Sequence, residues 1–307
     1  MMQKLVKKIR KDYWGKFVAF AAFIISVVIW QLIPNDQTNV SMKMLSFTIE
    51  ILLVIAVYVW HQKINMDSRK LYQYHAKNKV NKVDKIVLVL FAYAIDRNIS
   101  PAFKFGNNPR NENRIIREMS HQSVWEGLYK TGIKAPIVEE IVFRGLLYSV
   151  SVLLVLYILN ANVEDKSRRS IATYIFVLVS STVFGILHVS PYGDYENVGV
   201  YILPGMIFSI VFILTKNVMY SIGVHMLGNV VSTLNTYYYK LHDLSLPLGE
   251  YLNHLLGIIL IILIIERLVC GFRYAMCHKR EISQLSNKEL RQWVYQRLKE
   301  RYIYSEN

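Results

Sequence analysis

Residues 135–148 read APIVEEIVFRGLLY, placing two adjacent acids, Glu139 and Glu140, and one arginine, Arg144, in an apolar run that continues to Leu159. A carboxylate or guanidinium at membrane depth costs roughly 2.5–3.5 kcal/mol even on lenient insertion scales. Three such groups on one apolar helix call for partners inside the protein and mark the helix as a functional candidate.

The rest of the 307-residue chain supports a membrane setting. It is 53% hydrophobic, with 36 Lys and Arg against 22 acids and a net charge of +14, and its mean hydropathy is +0.25. A multi-pass membrane protein combines these properties when its basic residues crowd into loops and tails. No basic cluster is interleaved with a base-reading motif, which argues against a nucleic-acid partner. Cys270 and Cys277 match neither a common zinc pair nor a redox CxxC and are expected to be inert thiols.

A bilayer core needs about 20 apolar residues per helix, with a lower limit near 17. The apolar runs Ile133 to Leu159, Ile171 to Val189, Val198 to Leu214, Val218 to about Tyr237 and Tyr251 to Val269 read as spans. On the other side lie Phe17 to Ile33 and Met44 to His61, which carries Glu50 as a lone buried acid. A basic segment precedes Phe17, but no small-residue cleavage site follows, so this run is kept as the first span, with its N-terminal side cytoplasmic. Ile86 to Ile95 is short and reads as either a span or an interfacial helix; counting it as a span obeys the charge rule nearly everywhere, the exception being the basic loop 97–134, and this reading is taken. The fold class is therefore an all-α polytopic membrane bundle of about eight transmembrane helices in the cell membrane.

Three regions are expected: N-terminal helices and a polar loop over 1–132, a core over 133–240, and a last span with an amphipathic cytoplasmic tail over 241–307. In the polar loop, Gly106 to Pro109 mark a turn and Ile115 to Tyr129 an amphipathic piece. Pro204 is expected to kink the sixth span. Ser286 and Glu289 form a capping-box pattern ahead of the tail's apolar face.

Glu139 and Glu140 stand about 100° apart on a helix, so they cannot share one face. Glu140 and Arg144 are four apart, in the order that favours an ion pair, which leaves Glu139 to face a cavity. A single buried network of all three is the alternative. Phe184 and His188 share one face near the end of the fifth span, and His225 and Asn229 share one face within the seventh. Following the chain back and forth brings Glu139, His188, His225 and Asn229 to similar depth. Such a group is an acid/base constellation.

These three stretches, EEIVFR, FGILH and HMLGN, resemble the EExxxR, FxxxH and HxxxN motifs of the CPBP family of intramembrane proteases. That family is known for type II CAAX prenyl endopeptidases and for bacterial proteins linked to bacteriocin self-immunity. The resemblance covers about a third of the chain. It implies that Glu139 is the general base, that His188 helps activate water, and that His225 and Asn229 stabilise the oxyanion. Phe184 would wall the cavity, and Glu140 with Arg144 would hold the helix. No cofactor is required on this reading; zinc held by Glu139, His188 and His225 is the alternative, disfavoured because no HExxH is present. The expected partners are a peptide or lipidated-peptide substrate and membrane lipids. The expected function is an intramembrane endopeptidase; the alternatives are a non-proteolytic scaffold or immunity protein of the same fold, or a small-molecule transporter.

Overall fold

The computed structural model describes residues 2–32, 39–76, 82–104, 109–241, 248–278 and 286–298, and every regular element among them is helical. The helices are α1 (Met2–Leu32), α2 (Val40–Ile64), α3 (Met66–Ala76), α4 (Lys82–Ile99), α5 (Arg110–Met119), α6 (Val124–Ile158), α7 (Lys166–Val189), α8 (Gly199–Thr215), α9 (Val218–Asn235), α10 (Leu248–Cys277) and α11 (Asn287–Leu298). Among the described residues, six helical stretches are long and apolar enough to cross a membrane: Val40–Ile64, Val83–Phe103, Val124–Ile158, Lys166–Tyr192, Tyr195–Thr215 and Leu248–Cys277. Trp14–Trp30 is apolar but shorter. Helix α9 is diluted by His225, Asn229 and the hydroxyls of its packed face, so its composition falls outside that group. The chain is thus a multi-pass membrane bundle, with six such spans against the eight expected from apolar runs.

Three expectations change in detail. The short run at Ile86 to Ile95 belongs to a longer helix, because a 3₁₀ turn over Ser100–Phe103 extends α4. The helix carrying Glu139 begins at Val124 rather than Ile133, so the piece expected over Ile115 to Tyr129 divides between α5 and the start of α6. The reason is a capping box: Ser123 Oγ accepts from Glu126 N at 3.3 Å while Glu126 Oε2 accepts from Ser123 N at 3.0 Å. The proposed turn at Gly106 to Pro109 lies largely outside the described residues, whereas the Ser286–Glu289 capping box is present at the start of α11. Pro204 lies within the continuous helix Gly199–Thr215. Cys270 and Cys277 are free and exposed.

Burial ranks the helices. Two-thirds of the apolar window of α6, 67%, is buried, against 6% for α10. Helix α6 is therefore central and α10 peripheral, presenting Ile258, Ile261, Ile262, Ile265 and Leu268 outward, as a lipid-facing helix does. Helix α7 packs along α8 and the second half of α6, and α9 sits between α4, α8, α10 and the first half of α6. At the end of the bundle away from Glu139, Tyr148, Phe176 and Phe212 meet edge to face at 5.0–6.3 Å, joining α6, α7 and α8. Tyr72 adds α3 to this cluster and donates its hydroxyl to Gly145 O.

Glu50 is not a lone acid. It is fully buried, and its carboxylate lies 2.8 Å from Lys134 Nζ on α6. Lys134 Nζ also sits 4.8 Å from the Phe47 ring centre. A buried pair of this kind gains little over an apolar replacement, yet breaking it strands one charge. Glu50→Ala or Lys134→Ala alone should therefore lower stability by about 3–5 kcal/mol, whereas the double change Glu50→Leu with Lys134→Met should cost far less. Thermal unfolding of the purified protein in detergent measures the difference, and equal losses in all three variants would contradict it.

Candidate functional site

Helix α6 changes winding around the acids. Leu128–Lys134 and Ile141–Leu146 form wide i→i+5 turns that flank the regular turn Ala135–Glu140. Pro136 lacks the N–H that would continue the regular ladder from Gly132, and the Ala135 N–H reaches back to Lys130 O instead. Such π-type turns recur at functional sites because each one re-aims the following side chains.

Within this turn the two glutamates diverge as the 100° argument expects. Glu140 is fully buried and has both oxygens occupied. Its Oε1 accepts from Arg144 Nη1 at 3.0 Å and faces His225 Nδ1 at 3.0 Å, while Oε2 accepts from Ser221 Oγ. Arg144, also fully buried, uses Nη2 to donate to Gly205 O on α8 at 2.8 Å. Its guanidinium lies within 4.8–5.7 Å of the Phe184, Phe208 and Phe143 ring centres. The pair thus binds α6 to α8 through Arg144 and to α9 through Ser221 and His225.

Glu139 differs in kind. It is buried, and its Oε2 has no hydrogen-bond partner among the described residues. The group it faces is His188 at the end of α7, with Nε2 3.9 Å from Oε2. His188 Nδ1 lies 2.7 Å from Phe184 O. A carbonyl only accepts, so Nδ1 carries a proton, and in the neutral ring Nε2 presents a lone pair towards Glu139. Phe184 walls this space: its ring centre is 4.4 Å from that of His188 and 6.0 Å from that of His225.

The two residues taken from α9 have more specific surroundings than one shared face suggested. His225 points Nδ1 at Glu140 and stacks on Phe208 at 4.6 Å. Asn229 donates Nδ2 to Thr131 O at 2.8 Å, tying α9 to the first wide turn of α6. Two neighbours were missed from sequence. Ser221 stands one helical turn before His225, a spacing that places both on one face, and could have been found from that. Tyr201, whose ring stacks on His188 at 4.8 Å, has no motif to announce it.

His225 has its Nδ1 on Glu140, and among the described residues no group of three or more His, Cys, Asp or Glu side chains is arranged to hold a metal ion.

Because Arg144 and Glu140 compensate each other inside the bundle, Arg144→Ala or Glu140→Ala should cost about 3–5 kcal/mol by leaving one buried charge uncompensated. Loss of folded protein in detergent extracts, assessed by size exclusion, checks this; normal stability in both variants would contradict the account.

Residues 122–231 match the family described as type II CAAX prenyl endopeptidase Rce1-like. One curated relative, the membrane-embedded CAAX protease MroQ of Staphylococcus aureus (strain USA300), is 31% identical over 102 residues, which are 33% of this chain and 36% of the relative. The chain therefore spans about a third of the length of that relative. No solved structure matches the chain. With EExxxR, FxxxH and HxxxN in order on α6, α7 and α9, and a matched segment that holds all three, the core of this membrane bundle is similar to the CPBP family, the group of the type II CAAX prenyl endopeptidases.

Proposed function

We propose that the protein is an intramembrane endopeptidase in which Glu139 and His188 activate water to hydrolyse a peptide bond of a membrane-associated or prenylated peptide. The observation that carries this is the gap of 3.9 Å between Glu139 Oε2, buried without a hydrogen-bond partner, and the lone pair of His188 Nε2. Neither acceptor has a hydrogen to give the other, but one water donating a hydrogen to each can bridge that distance. Both hydrogens are then engaged, and the oxygen's remaining lone pairs are directed at an incoming carbonyl carbon.

As the oxygen attacks, Glu139 takes one proton and the carbonyl oxygen becomes an oxyanion. The proton then passes from Glu139 to the leaving amine as the C–N bond breaks, which returns the carboxylate. His225 and Asn229 supply the donors. The second hydrogen of the Asn229 amide remains after its bond to Thr131. His225, with Nδ1 on Glu140, donates from Nε2 when its ring carries both protons. Arg144 and Glu140 act on the reaction only by holding α6 against α8 and α9.

The name of the curated relative and the family match support a CAAX-type peptide as substrate class. A prenyl or other lipid anchor would present such a peptide at membrane depth, where Glu139 and His188 sit.

Glu139→Gln and His188→Ala are expected to abolish cleavage of a quenched fluorogenic peptide bearing a prenylated CAAX end, while the variants still extract and elute as the parent does. Asn229→Ala should retain folding and lose about 10²- to 10³-fold in kcat, the usual effect of removing one oxyanion donor. Full activity in either the Glu139 or the His188 variant would overturn the mechanism, whereas an inactive Glu139 variant that still supports the cellular function would favour the non-proteolytic scaffold.

A further inference from the structure

His188 makes one hydrogen bond among the described residues, and it is to the preceding turn of its own helix. That bond sets the tautomer, but it leaves the plane of the ring to be set by packing. Two rings do this. Phe184 lies 4.4 Å away, tilted by 37°, and Tyr201 lies 4.8 Å away, nearly parallel at 21°.

Phe184 is on the same helix as His188, so it moves with it. Tyr201 comes from α8 and therefore supplies an independent reference. Its placement follows from a close helix crossing: a Cβ on Gly185 would overlap Ile202 Cγ1 and lie 3.1 Å from Ile202 N and 3.2 Å from Val198 O. Only glycine at 185 lets α8 approach α7 closely enough for Tyr201 to reach His188. The far end of Tyr201 reaches α5, where its hydroxyl faces the Asn111 side chain. Helix α5 is itself fastened to the α7–α8 connection, where Arg110 N donates to Asp194 Oδ2 at 2.8 Å and Arg110 Nη1 donates to Tyr192 O at 2.7 Å.

We propose that Tyr201 is a positioning residue for the reaction: its ring, anchored from α5, holds the His188 imidazole in the plane that aims Nε2 at Glu139. This rests on the reading of Glu139 and His188 as the water-activating pair. A misplacement of about 1 Å at a reacting group can cost on the order of 10²-fold in rate.

The test uses the full chain in detergent, with the prenylated fluorogenic peptide as probe and with diethyl pyrocarbonate as a second reagent that acylates exposed imidazoles. Tyr201→Leu is expected to lower kcat about 10- to 100-fold with KM changed by less than about twofold. Tyr201→Phe, which keeps the ring, should restore most of kcat. Acylation of His188, followed by mass spectrometry, should be several-fold faster in Tyr201→Leu than in the parent and near the parent rate in Tyr201→Phe. If Tyr201→Leu fails to fold, Tyr201→Met takes its place, since it also removes the flat ring.

Parent-like kcat and parent-like acylation in the Leu or Met variant would overturn the inference. So would a Phe variant as impaired as the Leu variant, because the ring would then not be the positioning element. Glu139→Gln in the same assay separates the two levels. If it is inactive while Tyr201→Leu is fully active, only the role of Tyr201 fails; if it cleaves the probe, the water-activation reading fails, and the acylation rates still decide whether Tyr201 holds His188.

Discussion

The buried ion pair between Arg144 and Glu140 is the constraint on which the rest of the bundle depends. Neither side chain reaches solvent, so each must be compensated inside the protein. Arg144 finds Glu140, the Gly205 carbonyl and three phenylalanine faces; Glu140 finds Arg144, Ser221 and His225. Those partners come from α6, α7, α8 and α9. Satisfying two charges therefore fixes how four helices meet, and a helix packed in another register would leave a charge unsatisfied.

Glu139 takes its meaning from this arrangement. One residue earlier on the same turn, it points away from the neutralised network and into a space where Oε2 has no hydrogen-bond partner among the described residues. The two wide turns that bracket Ala135–Glu140 frame this division. The first is held from outside, by Glu50 on Lys134 and by Asn229 on the Thr131 carbonyl. The second carries Arg144 and Gly145, and a Cβ on Gly145 would press on Tyr58 at 2.9 Å. The acids thus sit on a short regular segment whose two ends are fastened by different helices. This is the preorganisation that the proposed water-activating pair would require.

The same physics explains which features were legible in the chain. Charged residues in apolar runs are costly enough that Glu139, Glu140, Arg144, His188 and His225 stood out, and helical periodicity was enough to separate the roles of the two glutamates. The start of α6 was misplaced because Ser123 and Glu126 lie in a polar stretch, where an apolar-run criterion sees nothing and only the capping chemistry marks a helix. The partner of Glu50 was hidden because Lys134 is 84 residues away in the chain and reads as the end of a basic loop. Tyr201 was hidden because an aromatic residue near the start of an apolar helix is ordinary until a neighbouring helix brings a histidine against it.

By itself the sequence determined the all-helical membrane class, the order of the motifs and the adjacency of two acids that cannot share a face, because these rest on hydropathy, spacing and helix geometry within one element. Tertiary structure alone decided that His225 sets its Nδ1 on Glu140, that Asn229 holds the Thr131 carbonyl, and that His188 stands 3.9 Å from an unpaired carboxylate oxygen between Phe184 and Tyr201. The physical reason is distance along the chain. Each of these contacts except that of His188 with Phe184 joins different helices, and their relative rotation and depth are set by side-chain packing at crossings such as Gly185 on Ile202, which no local pattern encodes.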